Sequence, residues 1–154
     1  MKKIILSFVT ITTILSCISQ SPKTKQVSGK SSLIGNYVSD SYANRKQGYD
    51  WVSVSIFDAG NDYLKISVRS RADLKKPTCT FDGVAKKIND NTYEYQKDNQ
   101  SMLFTFSKEN LAISPKNETD KNFLRFYCSG GGSLENTYKK IKEELDNSQI
   151  GKTN

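Results

Sequence analysis

Apolar side chains recur at every second residue through much of this 154-residue chain, and that period constrains the fold more than any other feature. Residues 51–57 (WVSVSIF) are the clearest case, because Val52, Val54 and Ile56 alternate with serines. Successive side chains of a β-strand point to opposite faces of the sheet, so this alternation predicts a strand with one buried face. A helix would repeat its apolar residues every three to four positions instead.

A turn follows this segment, and a second alternating segment follows the turn. Residues 58–62 (DAGND) contain Gly60 and Asn61, which accept the positive φ of tight turns. Leu64, Ile66 and Val68 then form one apolar face of the returning strand. The two segments therefore predict an antiparallel hairpin.

Similar short segments fill most of the remaining chain. We predict further strands at residues 33–39, 78–81, 84–88, 92–96, 101–106, 110–114 and 123–128. Turns are predicted at Asp82-Gly83, at residues 89–91 and at residues 98–100. Short strands with turns every 8–12 residues predict an all-β fold, an antiparallel meander of about eight strands that forms a small barrel or a sandwich.

The pattern changes near the carboxyl terminus. Leu134, Tyr138, Ile141 and Leu145 recur at helical spacing, and Ser133 is a suitable helix N-cap. We therefore predict a short C-terminal helix that packs on the β domain. The alternative is a final edge strand over residues 136–140. Residues 147–154 are predicted to be frayed.

Histidine does not occur in the sequence. Its absence excludes Ser-His-Asp and Cys-His catalysis and every histidine metal site. Carboxylate-only and Ser-Lys chemistry remain formally open, but no spacing of such residues favours either. We therefore expect a protein that is not an enzyme and that has no metal or other cofactor.

The amino terminus has the order of features found in an export signal. Met1-Lys2-Lys3 is positively charged, and residues 4–15 (IILSFVTITTIL) are mostly apolar. Twelve residues are too few to span a bilayer, which needs about 20. Ser16-Cys17 follows, and the whole segment resembles the lipobox of bacterial lipoproteins, although Ile14 occupies the usual leucine position. This resemblance implies cleavage before Cys17, acylation of its thiol by fatty acids such as palmitate, and a membrane anchor.

The lipobox also accounts for the odd number of cysteines, which is three. Acylation would use Cys17 and leave Cys79 and Cys128, which an oxidising compartment allows to pair. A disulfide closing a loop of about 50 residues is worth about 4 kcal/mol in the chain-entropy model. The alternative is two buried free thiols.

These features divide the chain into a signal peptide (1–16), a lipidated flexible linker (17–33), a β domain with its helix (34–146) and a tail (147–154). We expect the protein in the bacterial cell envelope. Because Ile18 is not aspartate, the resemblance favours the outer membrane where the organism has one.

The mature chain would carry a modest positive charge. Removal of Lys2 and Lys3 with the signal peptide leaves 21 of the 23 basic side chains against 16 acidic ones, which gives a net charge of +5. An exported protein rarely meets nucleic acid, so we exclude that partner.

Three local features are candidate binding sites. The run Ser129, Gly130, Gly131, Gly132 is either an anion site built from backbone N–H groups or a flexible connection. Trp51 either lines a ligand mouth or belongs to the core. The third candidate is a basic surface formed by Arg69, Arg71, Lys75, Lys76, Lys86 and Lys87. The alternative is that these are ordinary solvated charges.

The predicted domain resembles the small lysozyme-inhibitor lipoproteins of bacterial envelopes. The shared features are the lipobox, the short strands, one cysteine pair, and a Ser129-Gly130 loop that leads to Tyr138. The resemblance implies a non-enzymatic binding module whose loop enters a lysozyme-like protein partner. A calycin-like carrier of a small apolar ligand is a second form of binding module. The alternative function is a structural envelope protein whose basic surface contacts lipid or glycan.

Overall fold

A computed structural model describes residues 29–73 and 78–150, and within them eight antiparallel strands close into one barrel in chain order. The strands are β1 (Gly35–Val38), β2 (Val52–Asp58), β3 (Tyr63–Ser70), β4 (Thr80–Asn89), β5 (Thr92–Lys97), β6 (Gln100–Ser107), β7 (Asn110–Pro115) and β8 (Asn136–Lys140). The helical segments are α1 (Lys121–Phe126) and 3-10 turns at Lys30–Ser32, Asp40–Gln47, Glu118–Asp120 and Asn147–Gln149. The predicted all-β meander is confirmed, and it is a barrel.

The barrel closes because β8 pairs with both β7 and β1. Leu111 of β7 lies opposite Tyr138, and Val38 of β1 lies opposite Lys139. Each strand therefore has two antiparallel neighbours, which removes the open sheet edges that promote aggregation.

The barrel has two different ends. The chain enters at the end formed by the β2–β3, β4–β5 and β6–β7 hairpins, which we call the entry end. The other end carries α1 and the disulfide, and we call it the helix end. The predicted β2–β3 hairpin is confirmed: Ile56 pairs with Ile66, and Gly60 and Asn61 have φ values of 82° and 40°.

Side chains at alternate strand positions fill the barrel interior, and each is at most 3 % exposed. They are Tyr37, Val54, Ile56, Leu64, Ile66, Val68, Phe81, Ala85, Tyr93, Met102, Phe104, Phe106, Leu111, Ile113 and Tyr138. Rings from strands that are not neighbours meet in the middle. Tyr37 of β1 lies 5.9 Å from Phe106 of β6, and Phe81 of β4 lies 6.2 Å from Phe104 of β6, centroid to centroid.

A second apolar cluster lies on the outside of the barrel wall. Val38, which points away from the interior, packs with Tyr42 and Trp51 there. Trp51 is 1 % exposed and donates a hydrogen bond of 2.8 Å from Nε1 to Oε1 of Gln149. The core interpretation of Trp51 is thus the correct one.

The C-terminal tail, predicted to be frayed from residue 147, is ordered as far as Ile150. Ile150 packs on the outer cluster, and the side-chain amide of Gln149 donates a hydrogen bond to the Arg45 carbonyl in the Asp40–Gln47 segment. Residues 151–154 lie outside the described residues.

The predicted disulfide between Cys79 and Cys128 is confirmed. Backbone hydrogen bonds flank it on both sides, from Thr80 N–H to the Tyr127 carbonyl (2.9 Å) and from Ser129 N–H to the Thr78 carbonyl (2.7 Å). The bridge therefore fastens the segment after α1 to the start of β4.

The strand predicted at residues 123–128 is wrong, because this segment contains α1. Phe123 and Leu124 are adjacent and both are buried, which the alternation of a strand does not allow. The helical segment begins where the Asn117 N–H donates to the Asp120 carboxylate over 3.1 Å. Phe123 then stacks on Tyr95 of β5 at the helix end of the barrel.

The helix predicted at residues 133–145 is also wrong in position, and the alternative strand is correct. The short helix precedes this segment as α1, and residues 136–140 form β8. Leu134 and Tyr138 are four residues apart, a spacing that places side chains on one face in a strand as well as in a helix. Both are buried in the main core, whereas Ile141 and Leu145 pack on the outer cluster.

The turn predicted at Asp82-Gly83 is wrong, because β4 runs through it without interruption. Gly83 lacks a side chain here for a packing reason. A Cβ atom would lie 2.4 Å from Cζ of Phe81 and 2.9 Å from Cε2 of Tyr95. The glycine thus makes room for two aromatic rings inside the barrel.

Substitution Gly83→Ala should therefore destabilise the fold by about 1–3 kcal/mol, the usual cost of overpacking a core. The substitution Val84→Ala is the control, because the neighbouring Val84 side chain is 52 % exposed and should cost little. Urea unfolding measures both. A Gly83→Ala protein as stable as the Val84→Ala protein would contradict this packing.

Loss of the disulfide should lower the free energy of unfolding by about 4 kcal/mol, because the bridge closes a loop of 49 residues. Urea unfolding of the wild type with and without reductant measures the loss. The double substitution Cys79→Ala and Cys128→Ala should be insensitive to reductant. A wild type that is equally insensitive would contradict the bridge.

Candidate binding surface

Side chains fill the barrel interior, so we expect a binding site on the outside of the barrel. A barrel of eight strands is just wide enough for its own side chains or for one small ligand. Here Tyr93 of β5 also contacts Phe106, with ring centroids 5.9 Å apart, so aromatic rings occupy the space that a ligand would need.

Two clefts open onto the surface at the entry end. One, of about 280 Å³, is bordered by Tyr37, Phe106 and Lys108, and the other, of about 650 Å³, by Lys108, Glu109 and residues 140–144. Burial and the nearby Glu109 raise the pKa of Tyr37 to about 12, and its hydroxyl donates to the Leu33 carbonyl over 2.9 Å. Lysine lies beside Asp90 in the wall of the smaller cleft and beside glutamates in the wall of the larger one, so neither cleft selects a ligand by charge.

The outer surface of β2, β3 and β4 is more distinctive, because exposed apolar side chains and lysines are interspersed on it. We call this surface the β2–β4 face. It consists of Phe57, Tyr63, Lys65, Val84, Lys86 and Ile88.

Strand register places these side chains beside one another. Phe57 pairs with Lys65, and Lys65 pairs with Val84. In the next row towards the entry end, Tyr63 pairs with Lys86. Side chains opposite each other on one sheet face have Cβ atoms about 5 Å apart. Apolar groups and ammonium groups therefore alternate across three strands.

The apolar members of the β2–β4 face are 41–52 % exposed. Phe57 and Tyr63 are one position out of phase with the buried residues of β2 and β3, so they point outward. Ile88 lies where the register between β4 and β5 shifts, a bulge that re-aims a side chain. We did not predict this face, although the phase of Phe57 and Tyr63 was a signal for it in the sequence.

The two lysines of the face have no carboxylate partner among the described residues. Glu94 of β5 pairs in register with Lys86, but its charge is engaged elsewhere. Hydrogen bonds from Ser101 and Lys116 hold the pKa of Glu94 below its usual value, and the Lys116 contact measures 2.9 Å. Lys65 and Lys86 therefore present uncompensated positive charge to solvent.

The predicted basic surface is only partly present. Arg69 contacts both carboxylate oxygens of Asp82 at 3.1 and 2.8 Å, and Arg71 contacts those of Asp73 at 2.6 and 3.1 Å. Lys87 pairs with Asp90 at 3.2 Å. Lys86 belongs to the β2–β4 face, and Lys75 and Lys76 lie outside the described residues. Three of the four described basic side chains that we assigned to this surface are thus paired with a carboxylate.

The glycine run forms an exposed loop after the disulfide. Gly130 and Gly131 have φ values of 63° and 79°, and Gly132 N–H donates to the Ser129 carbonyl over 3.1 Å. A strand follows this loop, so the anion site at a helix N-terminus is not formed. Tyr138 is 1 % exposed and its hydroxyl donates to the Leu134 carbonyl over 3.0 Å, so the structure does not bring it to the surface with the loop.

Cys17, the predicted acylation site, lies outside the described residues. No helix within residues 29–73 and 78–150 is long and apolar enough to cross a membrane. The same residues contain no group of three potential metal ligands among cysteine, aspartate and glutamate.

Comparison with known proteins does not assign the chain to a family. No protein-family model, no curated protein and no solved structure matches it. Its function must therefore be argued from its own residues.

Proposed function

We propose that this protein is a lipid-anchored bacterial envelope protein that acts as a non-enzymatic binding module. Its binding surface is on the outside of the barrel. The observation that carries the proposal is the β2–β4 face. On it, exposed apolar side chains lie beside lysines that have no carboxylate partner within residues 29–73 and 78–150, and the barrel interior is filled by its own side chains. Exposed apolar groups of this kind are typical of interaction surfaces.

The cysteines support the lipid anchor. Cys79 and Cys128 are joined, so Cys17 is the cysteine left without a partner in a chain of three. A disulfide is also typical of the oxidising compartments that exported proteins reach. Both facts agree with the lipobox-like sequence that ends at Ser16-Cys17.

The chemistry of the side chains supports binding without catalysis. Histidine is absent from the sequence. The carboxylates of Asp82, Asp90 and Glu94, which border the β2–β4 face, form ion pairs with neighbouring basic side chains. Groups engaged in this way are poor general bases, so the face is suited to recognition.

Metabolic labelling with an alkyne fatty acid tests the anchor. The wild-type chain expressed in a bacterial host should be labelled, and the substitution Cys17→Ser should abolish the label because it removes the acylated thiol. The double substitution Cys79→Ser and Cys128→Ser is the matched control and should keep the label. An unlabelled wild type would contradict the proposal.

A lysozyme-like protein partner is the second form of this proposal, and the 129–133 loop favours it. The disulfide at Cys128 and the hydrogen bond from Ser129 to Thr78 fix the base of this exposed loop. A fixed loop loses little entropy when it enters a cleft.

Cell-wall lysis in the presence of the chain that begins at Ile18 tests this second form. Micromolar protein should inhibit lysozyme, and Gly130→Lys should weaken the inhibition by placing a bulky cation on the loop. Gly60→Lys is the control, because Gly60 also has positive φ and no heavy atom within 4 Å of an added Cβ. Absence of inhibition by the wild type would end the inhibitor form.

A further inference from the structure

We propose that the β2–β4 face lies against the anionic lipid surface of the membrane that carries the anchor. This inference deepens the proposed function, on which it rests for the position of the membrane. It assigns the occupant of the face and fixes which side of the barrel is turned towards lipid.

The chain enters the barrel beside the β2–β4 face. The Lys30 ammonium contacts the Asp58 carboxylate and the Asn61 carbonyl, and these residues belong to the β2–β3 hairpin. Phe57 and Tyr63 flank the same hairpin on the β2–β4 face. The amino-terminal segment therefore joins the barrel beside this face.

The anchor lies close to the barrel along the chain. Eleven residues separate Cys17 from Gly29, and no conformation of eleven residues spans more than about 40 Å. A tether this short keeps the face at a high effective concentration near the bilayer. Weak attraction to lipid is then sufficient to orient the domain.

The charge of the β2–β4 face is complementary to that of anionic lipid. Lys65 and Lys86 lack carboxylate partners among the residues described. The nearby charges of Lys30 and Lys87 are neutralised by Asp58 and Asp90. Asp62 in the adjacent hairpin is the opposing charge, so the face keeps a net positive charge. Basic groups of this kind are attracted to anionic lipid head groups.

The arrangement of side chains on the face fits a lipid surface better than a protein partner. The centre of a protein interface is depleted of lysine and is continuously packed over about 800 Å² on each partner. Here Lys65 lies between Phe57 and Val84, so lysine is central and the apolar groups are separated. Aromatic rings and lysines suit a bilayer surface, where rings enter the head-group layer while ammonium groups contact phosphates.

Partition onto sedimented vesicles tests the proposal with the chain that begins at Ile18. This chain has no acylation site, and it keeps every strand, both apolar clusters and the disulfide within residues 29–150. It should bind phosphatidylcholine vesicles that contain one quarter phosphatidylglycerol. Binding should be weak on pure phosphatidylcholine, and it should be lost when salt rises to about 0.5 M, which screens exposed charges.

Two double variants locate the contact. Replacing both lysines, Lys65→Gln with Lys86→Gln, should weaken binding about 25-fold, because each lysine near an anionic surface contributes about fivefold. Phe57→Ser with Tyr63→Ser should weaken it about tenfold by removing apolar burial.

Matched controls change the same residue types elsewhere. Lys46→Gln with Lys97→Gln removes two exposed lysines outside the face, and Tyr49→Ser with Phe126→Ser removes two exposed rings that are 54 % and 75 % exposed. Both controls should stay within about threefold of the wild type, because both leave the β2–β4 face unchanged and charges far from the lipid are largely screened.

Equal binding to neutral and anionic vesicles would overturn the proposal. So would controls that lose as much binding as the face variants. If the face binds an acidic protein instead, the face variants will leave vesicle binding unchanged, and that result also overturns it. Because the assay uses no acyl chain, its outcome is independent of the labelling at Cys17, and the two proposals fail separately.

Discussion

The pairing of β8 with β7 and β1 is the constraint on which the rest of this structure depends. Without it, two strands would have open edges and the interior rings would be exposed. With it, Tyr138 enters the core opposite Leu111, and Lys139 continues the sheet to Val38. Closure also fixes which side chains point outward. Those of β2, β3 and β4 form the outer surface at which binding is proposed.

The contacts between non-neighbouring strands explain why binding is proposed on the surface of the barrel rather than in its interior. Tyr37, Phe81 and Phe104 meet partners across the interior, and their burial leaves the wall rigid. The disulfide adds a constraint at the helix end. The β2–β4 face lies towards the entry end, beside the segment that leads to Cys17. A rigid support for an exposed face is what a small binding module requires.

The sequence predicted correctly those parts of the fold that depend on strand alternation, on turn residues or on the number of cysteines. The β2–β3 hairpin followed from alternation and from Gly60-Asn61, and the cysteine pair followed from counting thiols. The errors occurred where tertiary packing decides. Gly83 was interpreted as a turn residue, yet it is needed because two rings occupy the place of its side chain. The segment with Leu134 and Tyr138 fits a helix or a strand equally well until the edges of β7 and β1 are present. The β2–β4 face was missed because an exposed apolar residue such as Phe57 has a clear meaning only after its strand neighbours are known.

Nuclear Overhauser contacts in the protein labelled with ¹⁵N and ¹³C test the central claim, a closed barrel with a filled interior, most directly. The structure predicts cross-strand contacts between Val38 and Lys139 and between Leu111 and Tyr138, together with contacts between the rings of Tyr37 and Phe106. Helical contacts running through residues 134–145, without any contact from this segment to β1, would contradict it.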